Sequence, residues 1–364
     1  MSKLVVEVCK VEEVTKHPNA DRLSIVKVKG WYCVTGLNDY AVDDLVVYCP
    51  PDSVIPQHLI EKYNLEYLKK NGRVGTVKLR KCISQGLILP LPDSDSKRKF
   101  AVGDDLAVEL GITKYEPPAP KYQQNLQGKK STRKKRNPLF DKYTNIENIK
   151  NYNRIFKEGD EVVITEKIHG TNFRAGRLPI NPGYSFLDKI QYWWYKYILK
   201  RGYEFVYGSH NVQITYHANR NCFYGEDVYG RMAEKYKLAE IIPEDFIVYG
   251  EIYGKGIQEL EYDRADIDVV FFDIKYKNKY LSYTDFVKFC SKYDLPKAPA
   301  LYIGPFSEQV LKEETNGKST IAKHIREGCV VKSFHEENHP VVGRKVLKSI
   351  SEEYLANKKR TEYK

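Results

Sequence analysis

No apolar run in this 364-residue sequence reaches the roughly 18 residues that a membrane-spanning helix needs. The first residues also lack the apolar core of a secretory signal peptide. No membrane partner is therefore expected. Cysteine is sparse and badly spaced for structural work. The seven cysteines (Cys9, Cys33, Cys49, Cys82, Cys222, Cys290 and Cys329) are odd in number and include no Cys-x-x-Cys pair. Their spacing suggests neither zinc nor a disulfide framework. The expected setting is an intracellular, reducing compartment, cytoplasm or nucleus. Acidic residues are in deficit, 48 Asp and Glu against 59 Lys and Arg, for a formal net charge of +11. That excess suits a polyanionic partner.

What is present suggests two domains, since the chain exceeds a typical single core. Residues 1 to about 110 read as short strands separated by turns, with few helices. Leu4–Val8, Ser24–Val28, Tyr32–Thr35, Leu45–Tyr48, Val77–Arg80 and Gly86–Pro90 are strand-like. Such a pattern predicts a small closed β-barrel. Prolines 117, 118 and 120 end this domain. A basic stretch follows, with Lys129, Lys130, Arg133, Lys134, Lys135 and Arg136 around a Ser-Thr pair. It reads as a solvated linker. From residue 138 onward, helices and strands alternate, as expected of a mixed α+β domain. The expected boundaries are 1–116, a linker at 117–137, and 138–364. The stripe of aromatic and aliphatic residues between Ser185 and Lys200 has helical spacing and predicts core packing.

The most informative stretch is Glu166-Lys167-Ile168-His169-Gly170-Thr171-Asn172-Phe173. It follows the strand-like run Glu161–Thr165 and places a lysine at the strand's end. Gly170, three residues on, permits a close backbone approach to a ligand. A lysine so placed can act as a nucleophile if its amine is held neutral.

The octet resembles motif I of the covalent nucleotidyltransferases, in the form found in RNA ligases. Capping enzymes and DNA ligases typically carry Lys-x-Asp-Gly, whereas the third position here is His169. Later motifs follow in the family's order. Tyr249-Gly250-Glu251-Ile252-Tyr253-Gly254 resembles motif III, and Val269-Val270-Phe271-Phe272-Asp273-Ile274 resembles motif IIIa. Glu327-Gly328-Cys329-Val330-Val331-Lys332 resembles motif IV, and Val346-Leu347-Lys348-Ser349 motif V. The segment Val11–Gly36, with His17-Pro18-Asn19-Ala20-Asp21-Arg22-Leu23, is similar to OB-fold tRNA-binding modules. An OB module first and a transferase second resembles the Naegleria-type RNA ligases. Only 16 residues follow Lys348, so no further domain is expected there.

This resemblance implies an OB-type β-barrel followed by a mixed α/β, ATP-grasp-like nucleotidyltransferase domain. It also implies an ATP-dependent ligase joining RNA 3′-OH and 5′-phosphate ends in RNA repair, as a monomer. Lys167 is then the nucleophile, Lys348 grips the α-phosphate, and His169 serves later steps. Glu166, Ile168, Asn172, Glu251, Phe272 and Lys332 join Lys348 in binding the nucleotide. A hydrated Mg²⁺ or Mn²⁺ is implied near the nucleophile, with Glu327 as its first ligand and Glu251 its second. Strand alternation puts Phe271 and Phe272 on opposite faces, so only one lines the pocket, and register with Asp273 selects Phe272.

Motif V departs from the family's Lys-x-Lys, because position 346 is Val. Lys345 points to the other face, while Arg344 shares the face of Lys348 and is a candidate substitute. His210 stands where relatives often show arginine. Phe140–Asn148 resembles the segment that leads into the family's transferase domain, with adenosine contacts. In the barrel, Lys27, Lys29, Lys78 and Arg80, with Trp31 and Lys81, are candidates for RNA. The alternatives are a non-catalytic RNA-binding protein, a ligase of DNA or mixed-duplex nicks, or a capping guanylyltransferase.

Overall fold

The computed structural model describes residues 4–92, 99–115, 137–180, 190, 193–198, 202–214 and 226–356. The basic stretch 117–136 and most of the 185–200 stripe lie outside them. The chain forms two compact units. One contains residues 1–118, 145–156 and 349–364; the other contains 119–144 and 157–348.

In the first unit, β1 (Glu7–Lys10), β5 (Leu45–Cys49) and β9 (Leu87–Pro90) form an antiparallel sheet with β5 in the centre. A meander of β2 (Glu13–Lys16), β3 (Leu23–Val28) and β4 (Trp31–Gly36) adjoins it, and β6 (Ser53–Val54) pairs with β10 (Thr113–Lys114). The hairpin β7 (Thr76–Leu79) and β8 (Cys82–Gln85) meets β4, where the Val34 N–H donates to Ser84 Oγ at 2.9 Å. The short β11 (Glu147–Asn148) completes the unit's strands. Alternation drives the packing: Val26 and Val28 of β3 enter a core with Cys9, Cys33 and Val46.

Trp31 belongs to that core. It is 1% exposed, stacks on Tyr48 and donates its indole N–H to Asn151 at 3.1 Å. It presents no face to RNA, contrary to the expectation from sequence. The His17-Pro18-Asn19 turn is structural, as its composition suggests. The buried His17 ring accepts the Asn19 N–H at 3.1 Å, and its Nε2 lies 3.2 Å from the Leu79 carbonyl. The turn thus clips the β7–β8 hairpin, whose tip residues Arg80 and Lys81 both have left-handed backbones.

In the second unit, β12 (Glu161–Glu166) runs between β19 (Ala300–Pro305) and β20 (Gly328–Ser333), with β23 (Val346–Ile350) beyond β20. A six-stranded sheet carries β13 (Thr171–Pro179), β14 (Tyr203–Ser209), β15 (Gln213–Ile214), β16 (Phe246–Gly254), β17 (Ile267–Tyr276) and β18 (Lys279–Tyr280). Its order is β15-β14-β13-β16-β17-β18. The small hairpin β21 (Asn338–His339) and β22 (Gly343–Arg344) precedes β23.

One face of the six-stranded sheet buries Phe173, Val248, Ile252, Val269 and Phe271 against the helices Val228–Lys235 and Tyr283–Lys292. Both helices begin at side-chain caps, Asp227 accepting from the Gly230 N–H and Ser282 from the Asp285 N–H. Such caps satisfy N–H groups that the helix itself leaves unpaired. The opposite face carries Asn172, Arg174, Tyr249 and Glu251, and it is the face that builds the site.

The expected core packing of the aromatic stripe does not occur among its described residues. Ile190, Trp193, Trp194, Tyr197 and Ile198 are each about half exposed. Helical spacing alone does not bury a stripe.

Candidate active site

β12 ends at Glu166, and the chain then turns through Lys167–Gly170 into β13. The turn is pinned at both ends. The Lys167 N–H donates to the Gly328 carbonyl at 3.0 Å, and the His169 N–H donates to the Tyr262 hydroxyl at 2.6 Å. Gly170 is needed for space within the fold. A Cβ there would lie 2.1 Å from the Ile252 carbonyl oxygen. The glycine lets the loop pass against β16.

Lys167 Nζ donates to Glu327 Oε1 at 2.8 Å, from the start of the β20 segment. The Glu327 side chain is 4% exposed and that of Lys167 26%. The His169 ring is buried, its Nδ1 3.4 Å from Glu327 Oε2. Burial by itself would raise the Glu327 carboxyl, but Lys167 and His169 outweigh it and bring it down to about 2. Glu327 is therefore a permanent anion facing the lysine.

Glu251, on β16, has the opposite fate. Burial pushes its carboxyl up to about 8, and the Glu327 charge adds to this, while Lys167 and the Gly170 N–H oppose it. Two carboxylates share one small volume with one ammonium, so the second holds its proton. A pH signature follows. Between about 4.5 and 8 the unfolded chain releases the Glu251 proton and the folded chain keeps it. This contribution to stability therefore falls as pH rises through that window. In chemical denaturation without nucleotide or divalent cation, Glu251→Gln should gain stability over wild type progressively from pH 5 to pH 8. A difference independent of pH would refute it.

Among the described residues no group of three or more His, Cys, Asp or Glu side chains forms a metal cage. The residues present do fit a hydrated divalent cation, which needs only one or two carboxylates. Glu327 Oε2 is buried and faces the His169 ring at 3.4 Å, and Glu251 is crowded by the Glu327 charge.

The remaining expected residues lie in the turn after β12 and on β13, β17, β20 and β23. Asn172 pairs with Glu251 across β13 and β16, and its buried Oδ1 has no hydrogen-bond partner. The side chain of Ile168 is buried, so only its backbone can meet a ligand. Phe272 is partly exposed while Phe271 is fully buried, as alternation requires. A bulge between Tyr249 and Gly250 leaves Phe272 without a partner on β16. That extra residue lets Phe272 and Asp273 both meet Tyr143. The Tyr143 and Phe272 rings meet edge-on at 4.9 Å, and the Tyr143 hydroxyl donates to Asp273 at 2.8 Å. Lys332 lies 3.4 Å from the same carboxylate, and Lys348 is buried on β23.

Other side chains have different tasks from those read in the sequence. The Glu166 carboxylate, 2% exposed, accepts from Ser319 Oγ and from Thr320 N and Oγ1, the latter two at 2.8 and 2.6 Å. It ties the lysine-bearing strand to the 319–320 loop. Arg344 is no substitute for the missing motif V lysine, because Asp273, Glu336 and Tyr143 surround its guanidinium. Lys345 pairs with Asp160 at 2.7 Å, away from Lys348. His210 is pushed below its ordinary value by burial and by Lys142, so it brings no positive charge at neutral pH.

Tyr262, Ser319 and Thr320 gave no signal in the sequence, since each acts on a residue some 90 to 150 positions away. Arg174 could have been found from its spacing two residues after Asn172. It is buried, donates to the Ser209 and Phe140 carbonyls, and stacks its guanidinium 4.0 Å over the Phe140 ring.

In the first unit, Lys29 pairs with Glu7, and Lys27 lies 3.6 Å from Glu12. Lys78 and Arg80 are exposed on the β7–β8 hairpin.

A family model described as RNA ligase matches residues 160–350, more than half of the chain. The chain belongs to the RNA ligase family. A second model, an OB-fold domain, matches residues 5–91. This RNA ligase is also similar in fold to solved structures of Naegleria gruberi RNA ligase. A variant in its apo form superposes with a TM-score of 0.72 at 23% identity, covering 98% of each chain. A variant with ATP and Mn gives 0.73 at 22%, covering 98% of this chain and 99% of that one. Another, with AMP and Mn, gives 0.74 at 21% over the same shares. No curated protein sequence matches. No helix among the described residues of this ligase is long and apolar enough to cross a membrane.

Proposed function

We propose that this RNA ligase uses ATP to join RNA 3′-OH and 5′-phosphate ends through a lysyl-AMP intermediate on Lys167. The observation that carries the reading is the Lys167–Glu327 ion pair at the end of β12, with Glu251 crowded beside it. The Naegleria gruberi structures with ATP or AMP and Mn support the choice of nucleotide and cation.

In the first step the Lys167 amine attacks the α-phosphorus of ATP. An N–P bond forms, the bond to pyrophosphate breaks, and the lysine proton is lost. An RNA 5′-phosphate oxygen then attacks the same phosphorus and Lys167 leaves, giving an AMP-capped end. Finally the 3′-OH attacks the capped phosphate and AMP departs. Positioning and charge neutralisation are the protein's main contributions to such displacements. Phe272 stacks on the adenine, and Asn172 meets the nucleotide. Lys348 and Lys332 bear on its phosphates, where fixed cations stabilise developing charge. His169 acts in the later steps.

Glu327 and Glu251 would hold a divalent cation. Bound there, it supplies positive charge that competes with the lysine ammonium for Glu327 and favours the neutral amine. The domain division 1–116, 117–137 and 138–364, a monomeric state and a role in repair of broken RNA belong to the same reading.

The test is incubation with α-labelled ATP, and separately GTP, in Mg²⁺ or Mn²⁺. Acid-labile label on the protein from ATP is the expected result. Label from GTP alone would make this a capping-type transferase, and none from either would leave an RNA-binding protein. For the OB unit, Lys78 and Arg80 are proposed to contact RNA phosphates. Reversing both charges should weaken RNA binding uniformly and flatten its salt dependence by about one unit per contact. An unchanged salt slope would remove these residues from the interface.

A further inference from the structure

The second unit holds a buried charge network centred on Asp273 and Arg344, two residues that the reaction as described does not use. Asp273 is fully buried, yet its carboxyl sits below its ordinary value. Burial opposes this ionisation, and Lys332 and Arg344 overcome it. Three groups converge on its Oδ2: the Tyr143 hydroxyl at 2.8 Å, Arg344 Nη2 at 2.7 Å and Lys332 Nζ at 3.4 Å. Arg344 is fixed from every side. Its Nη2 donates to Glu336 at 2.7 Å and its Nη1 to the Tyr143 hydroxyl at 3.0 Å, while its guanidinium lies 3.6 Å over the Tyr280 ring.

Two cations therefore face one carboxylate, and Arg344 has the closer contact. A guanidinium held by a carboxylate on each side and an aromatic ring is a fixed counter-charge. Lys332, at the longer distance, has a flexible stem and a compact charge that can turn elsewhere. This chain also lacks the first lysine of the motif V pattern, since Val346 stands there.

We infer that Arg344 is a positioning residue: by neutralising Asp273 it leaves Lys332 able to contact the nucleotide phosphates in place of the missing motif V cation. The same contacts hold Tyr143 edge-on to Phe272, so one network sets both the phosphate cation and the adenine platform. The inference rests on the proposed role of Lys332 toward phosphate.

The test follows lysyl-AMP formation as ATP is varied, in the full-length protein, with thermal melts confirming that each variant is folded. Arg344→Gln should let Asp273 draw in Lys332, raising the apparent KM for ATP about tenfold, or roughly 1.4 kcal/mol. The rate at saturating ATP should change far less. Arg344→Lys, which keeps the charge, should be milder.

Adding Asp273→Asn to Arg344→Gln should bring KM back toward wild type, because Lys332 is then released again. A network that only held the fold together would make the double variant worse than the single. That outcome, with KM still sensitive to Lys332→Ala, would overturn the inference alone. A KM indifferent to Lys332→Ala would overturn the phosphate role of Lys332 and the inference with it.

Discussion

Lys167→Ala should reduce protein labelling from α-labelled ATP to background, a loss of more than about a thousandfold, since a missing nucleophile costs orders of magnitude. The variant should still fold, because the Lys167 side chain is a quarter exposed and packs in no core. Lys167→Arg separates charge from chemistry. It keeps a cation opposite Glu327 but offers no amine that can become neutral near pH 7. It should be as inert in labelling as the alanine variant while staying nearer to wild type in thermal stability. Labelling that survived in either variant would place the nucleophile elsewhere and dissolve the proposed mechanism. RNA supplied with a pre-formed AMP cap tests the same lysine differently. Both variants should still seal it, more slowly, because Lys167 is the nucleophile only in the first step.

Gly170→Ala should be the most damaging single methyl in the motif. The added Cβ would sit 2.1 Å from the Ile252 carbonyl oxygen and 3.0 Å from Glu251 Cγ. Backbone cannot yield there without separating the turn from β16. Gly170 does not need a left-handed backbone, as it is absent from the residues with positive φ. The penalty is therefore steric. Overpacking of this kind costs about 1–3 kcal/mol, which in domains of this size corresponds to about 2–4 °C of Tm for each kcal/mol. The displaced turn carries Lys167 and His169, so labelling should fall at least tenfold even below the melting transition. A variant with wild-type Tm and labelling would show that the turn can move at no cost. Gly256→Ala is the contrasting control: nothing lies within 4 Å of its added Cβ, and any cost there comes from its positive φ.

Much of this was legible in the chain. The strand expected at Glu161–Thr165 before Lys167 is Glu161–Glu166 in the fold. The opposite facing of Phe271 and Phe272 followed from alternation. The barrel strands Ser24–Val28, Tyr32–Thr35 and Leu45–Tyr48 each fall within observed strands. Their patterns are local: period-two burial and turn chemistry act over a few residues, so a short window contains their cause. The bulge at Phe272 was not legible, because it depends on register against β16, about twenty residues earlier.

Side-chain partners were the harder problem. Glu166 and Glu327 are both acidic residues within motif segments, and nothing in their neighbourhoods says which one meets Lys167. The fold decides by setting β20 beside β12, which brings Glu327 to the lysine across 160 positions. Glu166 meanwhile goes to Ser319 and Thr320. By spacing alone Arg344 is interchangeable with a phosphate-binding lysine; in the fold Asp273, Glu336 and Tyr280 enclose it.

The aromatic stripe makes the same point from the other side. Its spacing predicts a helix face, and only the folded structure shows that Trp193, Trp194 and Tyr197 stay exposed. Sequence alone determined the type and order of the chemical groups, because those are properties of single residues and short spacings. Tertiary structure alone decided which charge neutralises which. Ion pairs act across a few ångströms of space, and only folding turns distance along the chain into distance in space.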